Sequence, residues 1–266
     1  MITNRISIVI VEFHSIDEIK SALTAVRRIL PAAEVIVSSN SLYQKDMQDT
    51  LIKEFAECRW VFNERNGGFA YAMNRGLEIA TGDFLIISNP DCLMTRGIHD
   101  MAAFLTRHPK VGAVAPKIVD HNGNLQDSAR PYVTLQSYIW RQIKRVLFKR
   151  EAVLESSFDY TSIQTVDWVI GAFIMVSRDA YLRTGGLCED YFMYAEDLDW
   201  CTRIRRAGLE VVYYPEAEIV YKGSRSARKS KKYMRVFLRS HFTYWRRFGF
   251  MWGHPKRKSI QFDGLE

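Results

Sequence analysis

Short apolar runs alternate along the first half of the chain with stretches whose apolar residues recur at helical spacing. Arg5 to Val11 is apolar almost throughout, the pattern of a strand buried on both faces. Ser15-Ile16-Asp17-Glu18 then reads as a capping box opening a helix to about Leu30. Glu34 to Ser38 predicts a second strand, Asp46 to Glu57 a polar helix, and Arg59 to Asn63 a third strand. Gly67-Gly68 opens a helix to Ala80, and Asp83 to Ser88 makes a fourth strand ending at Asn89-Pro90-Asp91. A helix at Gly97 to Arg107 and a strand at Val111 to Lys117 close this half. Such alternation predicts a largely parallel α/β sheet, whose ligands sit beyond the carboxyl ends of its strands.

The second half is less regular. Asp120 to Gln164, with Pro131, Tyr138, Trp140 and the basic run Arg141 to Arg150, reads as an inserted flap. Val166 to Ser177 reads as one long apolar strand, followed by a helix at Arg178 to Thr184 and a Gly185-Gly186 turn. An acid-started helix runs from Glu196 to Ala207 with Gly208 as its stop, and two short strands follow at Glu210 to Tyr214 and Glu218 to Tyr221. The predicted boundaries are residues 1–118 for a first half, 119–165 for the flap, 166–222 for a second half and 223–266 for a basic, aromatic helical extension.

Composition narrows the class. With 266 residues, 47% of them hydrophobic, the chain can bury a large core. No run reaches the ~18 apolar residues of a membrane span, and the run before Glu12 is too short for a secretion signal. The expected location is therefore the cytoplasm, with peripheral membrane contact still possible. The four cysteines form no C-x-x-C pair, which indicates free thiols rather than a zinc site or a disulfide framework. The net charge of +7 is local: Ile219 to Phe262 holds thirteen Lys/Arg and no Asp/Glu, so the remainder carries a net charge of −6.

Three segments carry candidate chemistry. Asn66-Gly67-Gly68, with Asn74 one helical step further, places small residues where a strand hands over to a helix, suiting a ligand that approaches the backbone. Tight packing of the same small residues is the alternative. Asp91 of Asn89-Pro90-Asp91 suits a divalent cation bridging two phosphates, although all three residues are also turn formers. Glu196-Asp197 suits proton transfer, but acids also favour the first turn of any helix. Spacing alone leaves each pair of readings open.

The ordered set N-G-G-F-A-x-A-x-N-x-G, N-P-D, W-x-x-G-A, and G-G-L with F-M-Y-x-E-D-x-D-W-C-x-R resembles the family 2 glycosyltransferases of GT-A fold, in particular their bacterial rhamnosyltransferase-like branch. The resemblance spans about residues 5 to 250. It implies a GT-A fold, a Rossmann-like, mostly parallel sheet flanked by helices. It also implies inverting transfer of rhamnose or a related hexose from a nucleoside diphosphate sugar, such as dTDP-rhamnose or a UDP-sugar, during bacterial surface polysaccharide (O-antigen) synthesis. The implied acceptor is a glycan or a lipid-linked glycan, such as one carried on polyprenyl diphosphate.

In that resemblance Asp197 is the general base and Glu196 orients it or the acceptor. Asn66, Gly67, Gly68, Asn74, Asn89 and Asp91 bind the donor, Asp91 also holding Mg or Mn, and Trp168, Gly171 and Ala172 line the acceptor pocket. Two positions depart from the family's pattern: Ser39 stands where an Asp usually contacts the nucleobase, and Tyr221 where a metal-binding His is usual. Lys222, with Arg225 or Arg228, is the expected compensation at the diphosphate. The departures keep a second class open, a sugar-nucleotide-binding homologue without turnover that serves as an assembly partner.

In the basic extension, Arg228, Lys232, Arg235, Arg239 and Arg246 recur at helical spacing beside a stripe of Tyr233, Phe237, Tyr244 and Phe248. A helix packed on the domain and a helix attracted to the anionic inner-membrane surface both fit this pattern. No motif supports nucleic-acid binding.

Overall fold

The computed structural model describes residues 5–130, 158–223, 231–249 and 261–262. Pro131, Tyr138, Trp140, Arg141 to Arg150, Arg225 and Arg228 lie outside them. The first half alternates as read: β1 (Ile6–Glu12), α1 (Ile16–Ile29), β2 (Glu34–Ser39), α2 (Lys45–Glu54), β3 (Cys58–Phe62), α3 (Phe69–Ile79) and β4 (Phe84–Ser88). There follow β5 (Cys92–Arg96), α4 (Ile98–Arg107), β6 (Val111–Val119), β7 (Ala129–Arg130), β8 (Ile163–Val166), β9 (Trp168–Val169) and β10 (Phe173–Ser177). The chain ends through α5 (Arg178–Thr184), α6 (Glu196–Arg206), β11 (Glu210–Tyr221), α7 (Lys231–Phe248) and β12 (Gln261–Phe262).

The main sheet runs β12-β8-β11-β6-β10-β4-β1-β2-β3, with β5 paired to β11. Its β4-β1-β2-β3 portion is parallel, whereas β10 runs antiparallel to both β4 and β6. Every residue of β1 is buried because its side chains alternate between two cores. Ile8 and Ile10 join α1 residues such as Leu23 and Val26 on one face, and Val9 and Val11 join Ala72, Met73 and Leu77 of α3 on the other. Each such aliphatic side chain contributes on the order of 1.5–3 kcal/mol of burial.

Four expectations are corrected. The capping box does not form: the Ser15 hydroxyl makes no cap bond to α1 and accepts from the Phe13 N–H at 3.3 Å instead. The run from Val166 to Ser177 is broken into the end of β8, then β9, then β10, because Gly171 and Ala172 turn the chain. β9 leaves the main sheet to pair with β7. The two strands at Glu210 to Tyr221 are one strand, β11, with register shifts where it passes β6.

The aromatic stripe of α7 packs on the domain, one of the two arrangements its spacing allows. Tyr244 is fully buried and Tyr233, Phe237 and Phe248 are half-buried, so these rings turn toward the protein. The Ser240 hydroxyl donates to Met193 O at 2.7 Å, and Tyr244 Oη lies 3.0 Å from Thr202 Oγ1 of α6. Arg247 Nε lies 3.3 Å from the fully buried Asp199, which also takes Arg203 and the Tyr191 hydroxyl. α7 thus packs on the body that precedes it, and β12 adds an edge strand to the main sheet.

Candidate active site

The site lies where β1, β2, β3 and β4 end. Asn89-Pro90-Asp91 follows β4 directly, and its backbone is pinned by Asn89 N–H donating to Ala172 O at 2.9 Å. The neighbouring residue, Gly171, donates its N–H to Asp197 Oδ2 at 2.7 Å. Two adjacent residues therefore hold both the N-P-D turn and the acid at the start of α6. A Cβ on Gly171 would lie 3.0 Å from Asp197 Cβ, so the small residue sets this approach. Asp197 Oδ1 accepts from Leu198 N–H at 2.7 Å, which fixes the whole carboxylate.

Glu196 is buried, and its Oε2 finds no hydrogen-bond partner among the described residues. Burial, then the negative charges of Asp197 and Asp199, holds its carboxyl well above the ordinary range. This environment favours its neutral form beside Asp197. The two residues before it, Tyr194 and Ala195, both have left-handed backbones, with φ of 70° and 66°. That conformation costs about 1–2 kcal/mol for a residue with a Cβ.

At the N-P-D turn, burial raises the Asp91 carboxyl, partly offset by N–H donation from its own backbone and from Gly223 and by the charge of Lys222. Asn89 Nδ2 donates to the Tyr221 hydroxyl at 3.1 Å. Burial followed by the Asp91 charge pushes the Tyr221 phenol up, so it is neutral here. Lys222 is exposed beside this cluster. Among the described residues no group of three or more His, Cys, Asp or Glu is placed to hold a metal. Asp91 fits a cation whose other ligands are substrate phosphates and water, the set magnesium accepts.

The N-G-G turn meets the protein itself. A Cβ on Gly68, whose φ is +91°, would lie 2.1 Å from Phe192 O, so this glycine admits the loop before α6. Phe69 N–H donates to the same carbonyl at 2.9 Å. A Cβ on Gly67 would strike the Tyr71 ring. Asn74 clamps Leu187 by donating to its carbonyl at 2.8 Å and accepting from its N–H at 2.9 Å. Asn66 Oδ1 accepts from Gly68 N–H and Asn40 Nδ2. These contacts give the segment a packing role. Trp168 is buried among the apolar residues beneath the site.

Sequence reasoning missed Glu12. It lies in register with Ser39 across β1 and β2 and is fully buried. Its carboxylate accepts from Ser39 Oγ at 2.5 Å, Ser41 Oγ at 2.8 Å, Tyr43 Oη at 3.1 Å and Ser15 N–H at 2.9 Å. The acid absent at Ser39 is thus present one strand away. The available signal was a charged residue closing an apolar run.

The mixed sheet, with acids gathered near its strand ends, has the GT-A architecture. The chain belongs to the family described as Glycosyltransferase like family 2, whose profile matches residues 4–243, and it is a glycosyltransferase. It is 28% identical over 229 residues to the N-acetylglucosaminyl-diphospho-decaprenol L-rhamnosyltransferase of Mycobacterium tuberculosis, covering 76% of this chain and 73% of that one. It is 26% identical over 174 residues to rhamnosyltransferase WbbL of Escherichia coli, covering 62% of each. Among solved structures it resembles GalNAc-T7 with UDP, GalNAc and Mn2+, with a TM-score of 0.61 and 18% identity. That match covers 82% of this chain but 43% of the other, and carries the fold.

Proposed function

We propose that this enzyme transfers rhamnose or a related hexose, with inversion, from a nucleoside diphosphate sugar to a glycan acceptor carried on a lipid diphosphate. The observation that carries the reading is the Gly171-Ala172 pair, which binds the Asp197 carboxylate through one residue and the Asn89 backbone through the next. The rhamnosyltransferase relatives support the sugar and the acceptor class. Residues 1–118 serve the donor and 166–222 the acceptor.

In this reading Asp197 takes the proton of the acceptor hydroxyl as its oxygen attacks the anomeric carbon. The new C–O bond forms opposite the breaking bond to the diphosphate, so the configuration inverts. The two backbone N–H groups on Asp197 aim the base, beside a Glu196 carboxyl whose burial favours its neutral form. Asp91 and Lys222 face the diphosphate, Lys222 offsetting its charge. A divalent cation held by Asp91 would supply further neutralisation of the departing diphosphate. The Mn2+ of the GalNAc-T7 structure supports such a cation. Glu12, through Ser39 and Ser41, shapes the strand ends where the nucleobase is received.

No helix among the described residues is long and apolar enough to cross a membrane. A lipid-carried acceptor then requires the enzyme to work at the cytoplasmic membrane face, through its basic C-terminal helix. Calorimetric titration with dTDP, UDP and GDP, each with Mg or Mn and again with EDTA, tests the donor side. One nucleotide binding tightly is the expected result. Binding of none of them overturns the reading, and binding that survives EDTA assigns the diphosphate to Lys222 rather than to a cation.

A further inference from the structure

The outer side of α7 carries a feature that its inward rings do not explain. Met234, Leu238 and Phe242 recur every fourth residue, so they form one stripe along the helix. They are 37%, 48% and 56% exposed, among the most exposed large apolar side chains of the described protein. Arg235, Arg239 and Arg246 lie on the adjoining strip, also exposed, and no ion pair among the described residues engages them. On the other side, Ser240 and Tyr244 are buried against the domain. The helix is thus already anchored, and among the described residues its outward apolar stripe stays exposed.

We propose that this stripe is an interfacial docking surface for an anionic bilayer: Met234, Leu238 and Phe242 enter the headgroup–acyl boundary while Arg235, Arg239 and Arg246 meet the lipid phosphates. Charge selects this occupant. A second copy placed stripe to stripe across a two-fold axis would bring the arginines of both copies together. A nucleic acid would leave the apolar stripe unused. An anionic membrane satisfies both strips at once, as interfacial amphipathic helices do.

The same helix is joined to the site. Ser240 holds Met193 O, and the Tyr194 ring packs edge-on against Phe237 at 5.6 Å. Tyr194 stands two residues before Glu196. Docking through the outer stripe therefore seats the loop that aims the candidate base one helix-width from the lipid surface, where a lipid-carried acceptor hydroxyl arrives. This placement rests on the acceptor class proposed above, whereas the docking itself does not.

The test is sedimentation of the full chain with vesicles of phosphatidylcholine alone and with added phosphatidylglycerol. The unaltered protein is expected to bind the anionic vesicles. Leu238→Glu with Phe242→Glu, and separately Arg235→Glu with Arg239→Glu, should each weaken that binding by roughly tenfold or more. Nucleotide binding and melting temperature should be unchanged in both variants. Three results would overturn the proposal: no vesicle binding by the unaltered protein, binding indifferent to Leu238→Glu/Phe242→Glu, or a dimer in solution that this pair of changes dissociates. A fall in melting temperature with that pair would show the stripe covered by the protein's own chain and overturn it equally. Nucleotide binding without vesicle binding removes the docking surface and leaves the transferase reading standing.

Discussion

Two buried glutamates stand at opposite ends of the site and are treated in opposite ways. Glu12, closing β1, has four donor groups on its carboxylate. Glu196, opening α6, leaves one buried oxygen without a partner and is driven to its neutral form. A fully satisfied buried acid ties segments together, here the turns after β1 and β2. A partly satisfied one adds strain to its surroundings and persists where chemistry needs it. The hydrogen bonds of Glu12 give its edge the character of scaffold, and the start of α6 is the place we propose for the reaction.

The widest separation of the two regions comes from Asp197→Asn. Turnover should fall about 10²- to 10⁴-fold while nucleotide binding and melting temperature hold, as initial rates and calorimetry would record. Equal losses of binding and rate would return the acid to a structural role. Glu12→Ala should do the reverse: it strands several buried donors and costs about 3 kcal/mol or more in denaturant unfolding, with turnover per folded molecule little changed. A lost nucleotide preference without lost stability would instead make Glu12 a recognition residue.

Removing the Tyr221 hydroxyl, in Tyr221→Phe, leaves Asn89 Nδ2 without its acceptor at 3.1 Å and should cost about 1 kcal/mol. The smallest shift is expected from Glu196→Gln, with stability at neutral pH changed by less than about 0.5 kcal/mol or slightly raised. Its signature lies in pH dependence. The folded carboxyl binds its proton more tightly than the unfolded one, so its contribution to stability is largest below the ordinary carboxylate range and is lost as pH rises toward the raised folded value. Melting temperature should thus fall less between pH 5 and pH 8 in Glu196→Gln than in the unaltered protein. Identical pH slopes would contradict the neutral form.

The contrast also explains what was legible in the sequence. β1, β2 and β4 were readable because strands covered on both faces carry near-continuous apolar runs. The acids at Glu196 and Asp197 were visible by spacing, since a helix start follows local rules. Glu12 was not, because its meaning depends on Ser39, 27 residues away and set opposite only by strand register. The packing role of the N-G-G segment was hidden for the same reason: the carbonyl its glycine admits belongs to Phe192, far along the chain. β9 left the main sheet through a turn at Gly171-Ala172 that apolar composition masked. In α7, helical spacing identified an amphipathic element but not which apolar stripe faces inward, as two run along it.

The left-handed pair Tyr194-Ala195 has an evolutionary consequence. Glycine at position 195 would relieve backbone strain of about 1 kcal/mol, so selection for heat resistance alone would favour it. The same change would loosen the hinge that points Glu196 and Asp197 into the site. Adaptation to temperature and adaptation to rate would pull this one residue in opposite directions.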